Sequence, residues 1–307
     1  MTSSGARLGR GIEWPTVFIL VLCYGGWLAV VHFHASLGWF GFALLAAPLV
    51  AWHSSIQHEA LHGHPTAYPL LNELMVFAPL NLLIPYRRYR ATHIEHHNDR
   101  NLTDPAADPE SFYVAPQRWA RMSAPLRALN RFNNCLAGRL IVGPWIAAAR
   151  FLAGEVRLIA SGDRLAIRAW LLHLIGAAPV VWYVVVASGL DLGLYALLAI
   201  YPGMSLIAIR TYAEHQAEDL PEHRTVIVEG SPLLALLFLN NSLHAVHHRY
   251  PGLPWYRIPA AYRAERKTFL ADNGNYVFRG YGALFRDYLF RAKEPNVHPF
   301  PAAGGKR

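Results

Sequence analysis

From residue 14 to residue 57 the chain carries no Asp, Glu, Lys or Arg. That run is 44 residues long, and one bilayer crossing takes about 20 apolar residues. It predicts two helices folded as a hairpin, with the break among His34, Ala35, Ser36, Leu37 and Gly38, where small and polar residues cluster. Uncharged runs recur at 169–190 and, after the lone Asp191, at 192–209. These read as a second hairpin, giving four spans at about 14–34, 39–57, 169–190 and 192–209. Composition agrees. Hydrophobic residues make up 53% of the chain and charged residues 16%, against roughly a quarter charged in an ordinary soluble chain. An ordinary soluble enzyme is excluded on that ground. A disordered chain is excluded too, because too much apolar surface is available to bury.

Three shorter apolar runs, 74–86, 141–149 and 233–239, fall below spanning length and read as helices at the interface or packed inside the protein. The expected fold is all-α and integral to the membrane: four transmembrane helices in two hairpins, with a helical cap, in a single domain over 1–307. Orientation follows from the bias of Arg and Lys in short loops. Arg7 and Arg10 precede the first span. Arg87, Arg88, Arg90, Arg100, Arg118 and Arg121 fill the middle, and Arg210 ends the fourth span. The turns at 35–38 and 189–191 carry none. Both termini, the middle region and the C-terminal region are therefore expected on the cytoplasmic side, in a multi-pass protein of a bacterial inner membrane. The N-terminal run reads as a retained span, because a second apolar run follows at once without a convincing cleavage site.

Two cysteines, Cys23 and Cys135, cannot build a disulfide framework or a thiolate metal site. The net charge of +8 suits loops facing anionic lipid or an acidic protein partner, and no nucleic-acid partner is expected.

Sixteen histidines are many for a chain so poor in charge, and they are not scattered. His58-Glu59-Ala60-Leu61-His62 follows the second span, His93-Ile94-Glu95-His96-His97 follows the first short apolar run, and His244-Ala245-Val246-His247-His248 follows the last. On a helix, positions i, i+3 and i+4 share an arc of about 100°. His58 with His62 makes a two-point claw, and each of the other boxes a three-point claw. Eight imidazoles on one membrane face are too many for one metal with an open position and about right for two. Neutral imidazole suits iron, zinc, copper or nickel, so residue type leaves the metal open. A structural zinc site would use four ligands, usually with thiolate, and a soluble di-iron bundle would use Glu with Glu-x-x-His. A single HxxxH arises often by chance. Two HxxHH and one HxxxH on one face do not.

The three boxes, their order and the four-span layout resemble the membrane fatty acid desaturase superfamily, whose relatives include alkane hydroxylases and carotenoid ketolases. The resemblance covers residues 57–259, with the acidic stretch Asp104-Pro105-Ala106-Ala107-Asp108-Pro109-Glu110 after the second box. Tyr212-Ala213-Glu214-His215 is similar to the Tyr-x-Glu-His element that supplies a lone histidine in alkane hydroxylases. The resemblance thus implies nine ligands, His58, His62, His93, His96, His97, His215, His244, His247 and His248, divided between two iron ions with O2 as co-substrate. It implies an oxidoreductase that introduces a double bond into a fatty acyl or other lipid-like chain. A hydroxylase or ketolase acting on alkanes, carotenoids or a small metabolite would share the layout. A non-enzymatic metal-binding membrane protein is the third reading, although a transporter would place its ligands at mid-membrane. No GxGxxG or CxxCH is present, so electrons are expected from a separate carrier such as a ferredoxin or rubredoxin.

The other seven histidines, His32, His34, His53, His64, His173, His223 and His298, are expected outside the site. Some family members carry a further histidine at the place of His64, but two residues past His62 it points off the ligand face. Asn240, four residues before His244, is expected to support that box, and Asn241 to be an ordinary helix-end residue. Glu214 and Asp108 are further candidates to orient the ligands. Asp104 and Glu110 share that possibility with a plain turn role. The segment 251–257, with Trp255, Tyr256 and Arg257, suits a membrane-surface or substrate-mouth element.

Overall fold

A computed structural model describes residues 11–98 and 100–300; Arg7 and Arg10, used above for orientation, lie outside them. Among the described residues, four helices are long and apolar enough to cross a membrane: Trp14–His32 (α1), His34–Leu61 (α2), Arg164–Ala187 and Leu192–Glu214. Their outward faces are apolar, with Phe18, Val21, Leu44, Leu171, Ile175 and Leu197 all exposed. The break between α1 and α2 falls at Phe33, and Gly38, at φ 65°, interrupts the start of α2. Span three comprises α9 (Arg164–Trp182) and a π-helical turn, and span four α10 (Leu192–Tyr195), a second π-helical turn and α11 (Tyr201–Glu214). Asp191 caps the latter by accepting the Leu194 N–H at 2.9 Å.

The second hairpin packs on the first through close approach. A Cβ on Gly203 would come within 3.0 Å of Val50 and 3.1 Å of the Ala47 carbonyl, so a side chain there would push α11 and α2 apart by a few tenths of an ångström. Between the hairpins, Trp27 Nε1 donates to Tyr195 OH at 2.9 Å, which donates to the Leu80 carbonyl at 2.7 Å.

The run 74–86 departs from the helical expectation. Only its ends are helical, in α3 (Pro69–Met75) and at Tyr86, which opens the next helix, because Pro79 and Pro85 remove backbone donors and Leu82 adopts φ 56°. Irregular backbone beside the spans survives by having its carbonyls satisfied within the protein. Tyr24 takes Ala78, Tyr195 takes Leu80, and His173 takes Leu82 at 3.0 Å.

The cap is built from α4 (Tyr86–His96), α5 (Pro116–Arg121), α6 (Ala124–Asn133), α7 (Leu136–Ile141), α8 (Gly143–Ala160), α12 (Pro232–Leu237), α13 (His244–Arg249), α14 (Ile258–Asp272) and α15 (Tyr281–Tyr288). Among the described residues, two short parallel strands, Ile227–Val228 and Val277–Phe278, are the exception to an otherwise helical fold. The run 141–149 falls mostly within α8, which exposes Trp145, Leu152, Val156 and Ile159 and leads into span three. Past the Gly38 kink, α2 runs continuously over residues 39–61, about 35 Å at 1.5 Å per residue. A hydrocarbon core is about 30 Å thick, so α2 outruns it and carries the first box past the apolar zone.

Candidate metal centre

The first box ends α2, with His62 as its C-cap. The second ends α4, with His97 as its C-cap, and the third forms α13. His215 follows α11 directly, where the chain turns extended at φ −130°. The nine histidines gather into two groups: His58, His62, His93, His97 and His247 in one, His96, His215, His244 and His248 in the other. Within each group the ligating nitrogens lie within 4.8 Å of one another. The three-residue boxes are not single claws. In each, the i and i+4 histidines serve one group and the i+3 histidine the other. The two boxes do so reciprocally.

Hydrogen bonding at the outer nitrogens sets the tautomers. His93 Nδ1 donates to Glu110 at 2.9 Å and His96 Nδ1 to Asp108 at 2.8 Å. His215 Nδ1 donates to the Arg224 carbonyl at 3.2 Å, and His244 Nδ1 to Asn241 Oδ1 at 3.0 Å. A neutral imidazole with its proton on Nδ1 presents a lone pair at Nε2. His96 Nε2 and His244 Nε2 each lie 3.0 Å from His215 Nε2. Lone pairs brought that close repel unless a cation lies between them. In the other group, His97 Nε2 lies 3.1 Å from both His93 Nε2 and His247 Nε2, and the buried Nε2 atoms of His58 and His62 have no hydrogen-bond partner. The donor set fits two metal ions.

Electrostatics keeps most of these rings neutral. Burial, then the charge of neighbouring imidazoles, holds His62 at about 2 and puts His97, His244 and His247 far below the usual range. Burial and His96 do the same to His215. His96 is the exception. Burial opposes its charge, yet the carboxylates of Glu110 and Asp108 carry it up to about 9. The local field therefore invites positive charge at that point.

Side chains around the two groups hold the histidines and the turns beside them. Asp108 also accepts the N–H groups of Thr103 and Glu110, and Asp104 makes a turn by accepting those of Ala106 and Ala107. Glu214 pairs with Arg210 at 2.8 Å, lies 3.5 Å from His244 Nδ1 and accepts from Asn241. The expectation for Asn240 is corrected: its amide donates to the Trp255 carbonyl, and Asn241 supports His244. Leu239 and Asn240 take φ 48° and 58°, so helical spacing does not extend back from α13. Glu59 is buried and accepts the Trp255 N–H at 3.0 Å, tying the first box to the segment after the third, while Glu95 is exposed. Trp255 Nε1 in turn reaches Thr16 at 3.2 Å.

His64 lies outside both groups, buried with Nδ1 2.8 Å from Glu13. His53 pairs with Tyr24 at 2.9 Å. His298 is also outside, but it bonds Thr103, whose N–H holds Asp108. Lys293 carries no sequence signal. Half-buried, and pushed down to about 7 by desolvation, it donates to the His215 carbonyl and to Tyr276 OH.

A family model described as fatty acid desaturase matches residues 34–280, most of the chain. No curated protein matches it significantly.

Proposed function

The chain belongs to the fatty acid desaturase family, and from that premise we propose that it is an O2-dependent, two-iron desaturase of lipid-like chains. It is a membrane oxidoreductase of the desaturase and hydroxylase type. His58, His62, His93, His97 and His247 would hold one ion, and His96, His215, His244 and His248 the other. The bound ions would supply O2 activation and hydrogen removal from an unactivated C–H bond.

The chain's own contribution is preorganisation. Glu110, Asp108, Asn241 and the Arg224 carbonyl hold the rings by their outer nitrogens, so the inner lone pairs point to shared centres. The apolar zone below the boxes suits a substrate drawn from the bilayer, and burial of the inner nitrogens keeps water away. The observation that carries this reading is the convergence of the Nε2 atoms of His96 and His244 on that of His215 at 3.0 Å.

Removing two hydrogens from a saturated C–C unit yields two electrons and two protons, whereas reducing O2 to two waters takes four of each. Two electrons and two protons must come from outside, and the chain has no flavin, nicotinamide or haem motif to supply them. A separate one-electron carrier is the expected partner.

The test is expression in a host with a compatible electron donor, iron analysis of the purified protein, and mass spectrometry of the total lipid and metabolite pool. An olefinic product with about two irons per chain supports the reading. A hydroxylated product without olefin would move it to a hydroxylase or ketolase, and bound iron without O2 consumption to a non-enzymatic metal protein.

A further inference from the structure

Past α15 the chain does not leave the cap. Residues 289–300 double back across it, outside the stretch that the family model matches. The segment is pinned in three places. The Leu289 carbonyl accepts the Ala137 N–H at 2.9 Å, the Asn296 carbonyl accepts the Val114 N–H at 2.9 Å, and the Asn296 side chain donates to the Asn130 carbonyl at 2.9 Å. From this track two side chains reach the metal centre from behind. Lys293 sits among the rings of Phe112, Tyr212 and Tyr276, its Nζ 5.2–6.0 Å from their centroids, and donates to the His215 carbonyl. His215 follows α11 in extended backbone, so the helical ladder no longer fixes its carbonyl, and its other lateral tie is a bridge to Thr225. Beside Lys293, Glu294 accepts from Tyr113 OH at 2.8 Å, and that hydroxyl accepts the Ala217 N–H at 2.8 Å, two residues beyond His215.

His298 works on a second ligand. Its Nδ1 donates to the Phe300 carbonyl at 3.0 Å, which leaves Nε2 to accept from the Thr103 hydroxyl at 3.2 Å. Thr103 is β-branched and stands at φ 73°, a backbone conformation such residues avoid, so the turn needs an outside hold. That turn aims the Thr103 N–H at Asp108 Oδ2, while Asp108 Oδ1 accepts from His96 Nδ1. His215 and His96 belong to the same four-histidine group. Among the described residues, no hydrogen bond from 289–300 ends on a histidine of the other group.

We propose that 289–300 is a positioning segment for one ion of the pair, with Lys293 and His298 as the positioning residues that keep His215 and His96 aimed at it. This rests on the two-iron reading above. The five-histidine group keeps its ion without the segment, because its rings are held from elsewhere.

The test counts iron and not product. Lys293→Met and His298→Phe each remove one bond at similar volume. Lys293→Arg keeps a donor for the carbonyl, and His298→Gln keeps an acceptor for the hydroxyl. Each full-length protein is loaded anaerobically with Fe(II), titrated with a chelator and read by Mössbauer spectroscopy at every step. In the bond-removing pair one equivalent should leave at about tenfold lower chelator than in the unsubstituted protein, taking one spectral component with it, while the second leaves as before. The bond-keeping pair should follow the unsubstituted curve. Three results would overturn the proposal: both equivalents leaving together, as a general loosening of the cap would give; curves unchanged in the bond-removing pair; or a bond-keeping pair that loses iron just as readily. Unsubstituted protein that never holds two equivalents would instead count against the two-iron reading, so the two failures are told apart.

Discussion

Asp108→Asn probes the division of the site into two groups. Asp108 Oδ1 accepts from His96 Nδ1 at 2.8 Å and from the Glu110 N–H at 2.9 Å, while Oδ2 accepts the Thr103 N–H at 2.8 Å. All three partners are donors. Asparagine offers one acceptor oxygen and an NH2 that only donates. Whichever way its amide turns, a buried donor faces another donor, at a cost of about 1–3 kcal/mol. His96 also loses a charge-assisted bond. Removing such a support weakens metal affinity about 10–100-fold, or about 1.4–2.7 kcal/mol. The loss should fall on one ion, because His96 serves the group of His215, His244 and His248. Protein loaded anaerobically with Fe(II) is titrated with a chelator, and iron per chain is counted by mass spectrometry. One equivalent should leave the variant at about 10–100-fold lower chelator, with the second leaving as before. Two equivalents departing together, or an unchanged curve, would refute the reasoning. Asp108 is a cleaner probe than Glu110, which bonds His93 and also comes within 3.9 Å of His96 Nε2.

Replacing any one of the nine histidines by Ala should lower bound iron and abolish activity, whereas exposed His32→Ala should do neither; iron analysis beside product assay decides. Asn241→Ala should loosen iron, since it frees His244 Nδ1, while Asn240→Ala should leave the iron count unchanged. Glu155 is buried and accepts from Arg88 Nε and Trp170 Nε1, both at 2.9 Å. Glu155→Ala strands Arg88 and should cost about 3–5 kcal/mol, read as a lower melting temperature. Metal-stripped protein should also lose stability in acid. His215, His244 and His247 are held well below the usual range by burial and then by neighbouring imidazoles, so the folded protein refuses protons that the unfolded chain takes up near pH 6.5. Each costs about 1.4 kcal/mol at pH 5.5. His96, raised to about 9, acts oppositely: its stabilisation is full below pH 6.5 and fades as pH rises through 9. A melting temperature that holds level or rises between pH 7 and 5.5 would contradict the excess of these lowered rings, with His62 and His97 among them, over His96.

The spans were legible because an uncharged run has a length, and length against bilayer thickness is a one-dimensional comparison. The histidine boxes were legible for a similar reason, since helical spacing places i and i+4 on one face whatever surrounds them. What spacing hides is the destination of each face. Along α4, His93 and His97 turn one way and His96 the other; along α13, His244 and His248 turn one way and His247 the other. That reciprocity exists only where the two helices meet, a fact of tertiary packing. Asn240 misled for a related reason: counting four residues back from His244 assumes a helix, and two left-handed residues had already ended it. Run 74–86 looked helical by its apolar content, but its carbonyls were claimed by Tyr24, Tyr195 and His173, from three different helices. The crossing also separates two kinds of perturbation. Because α4 feeds both groups, loosening it as a body through Glu155 must weaken both ions. A change at Asp108 acts on one ring and should weaken one. The ratio of the two iron losses thus measures whether the second box acts as a rigid helix or as separate ligands.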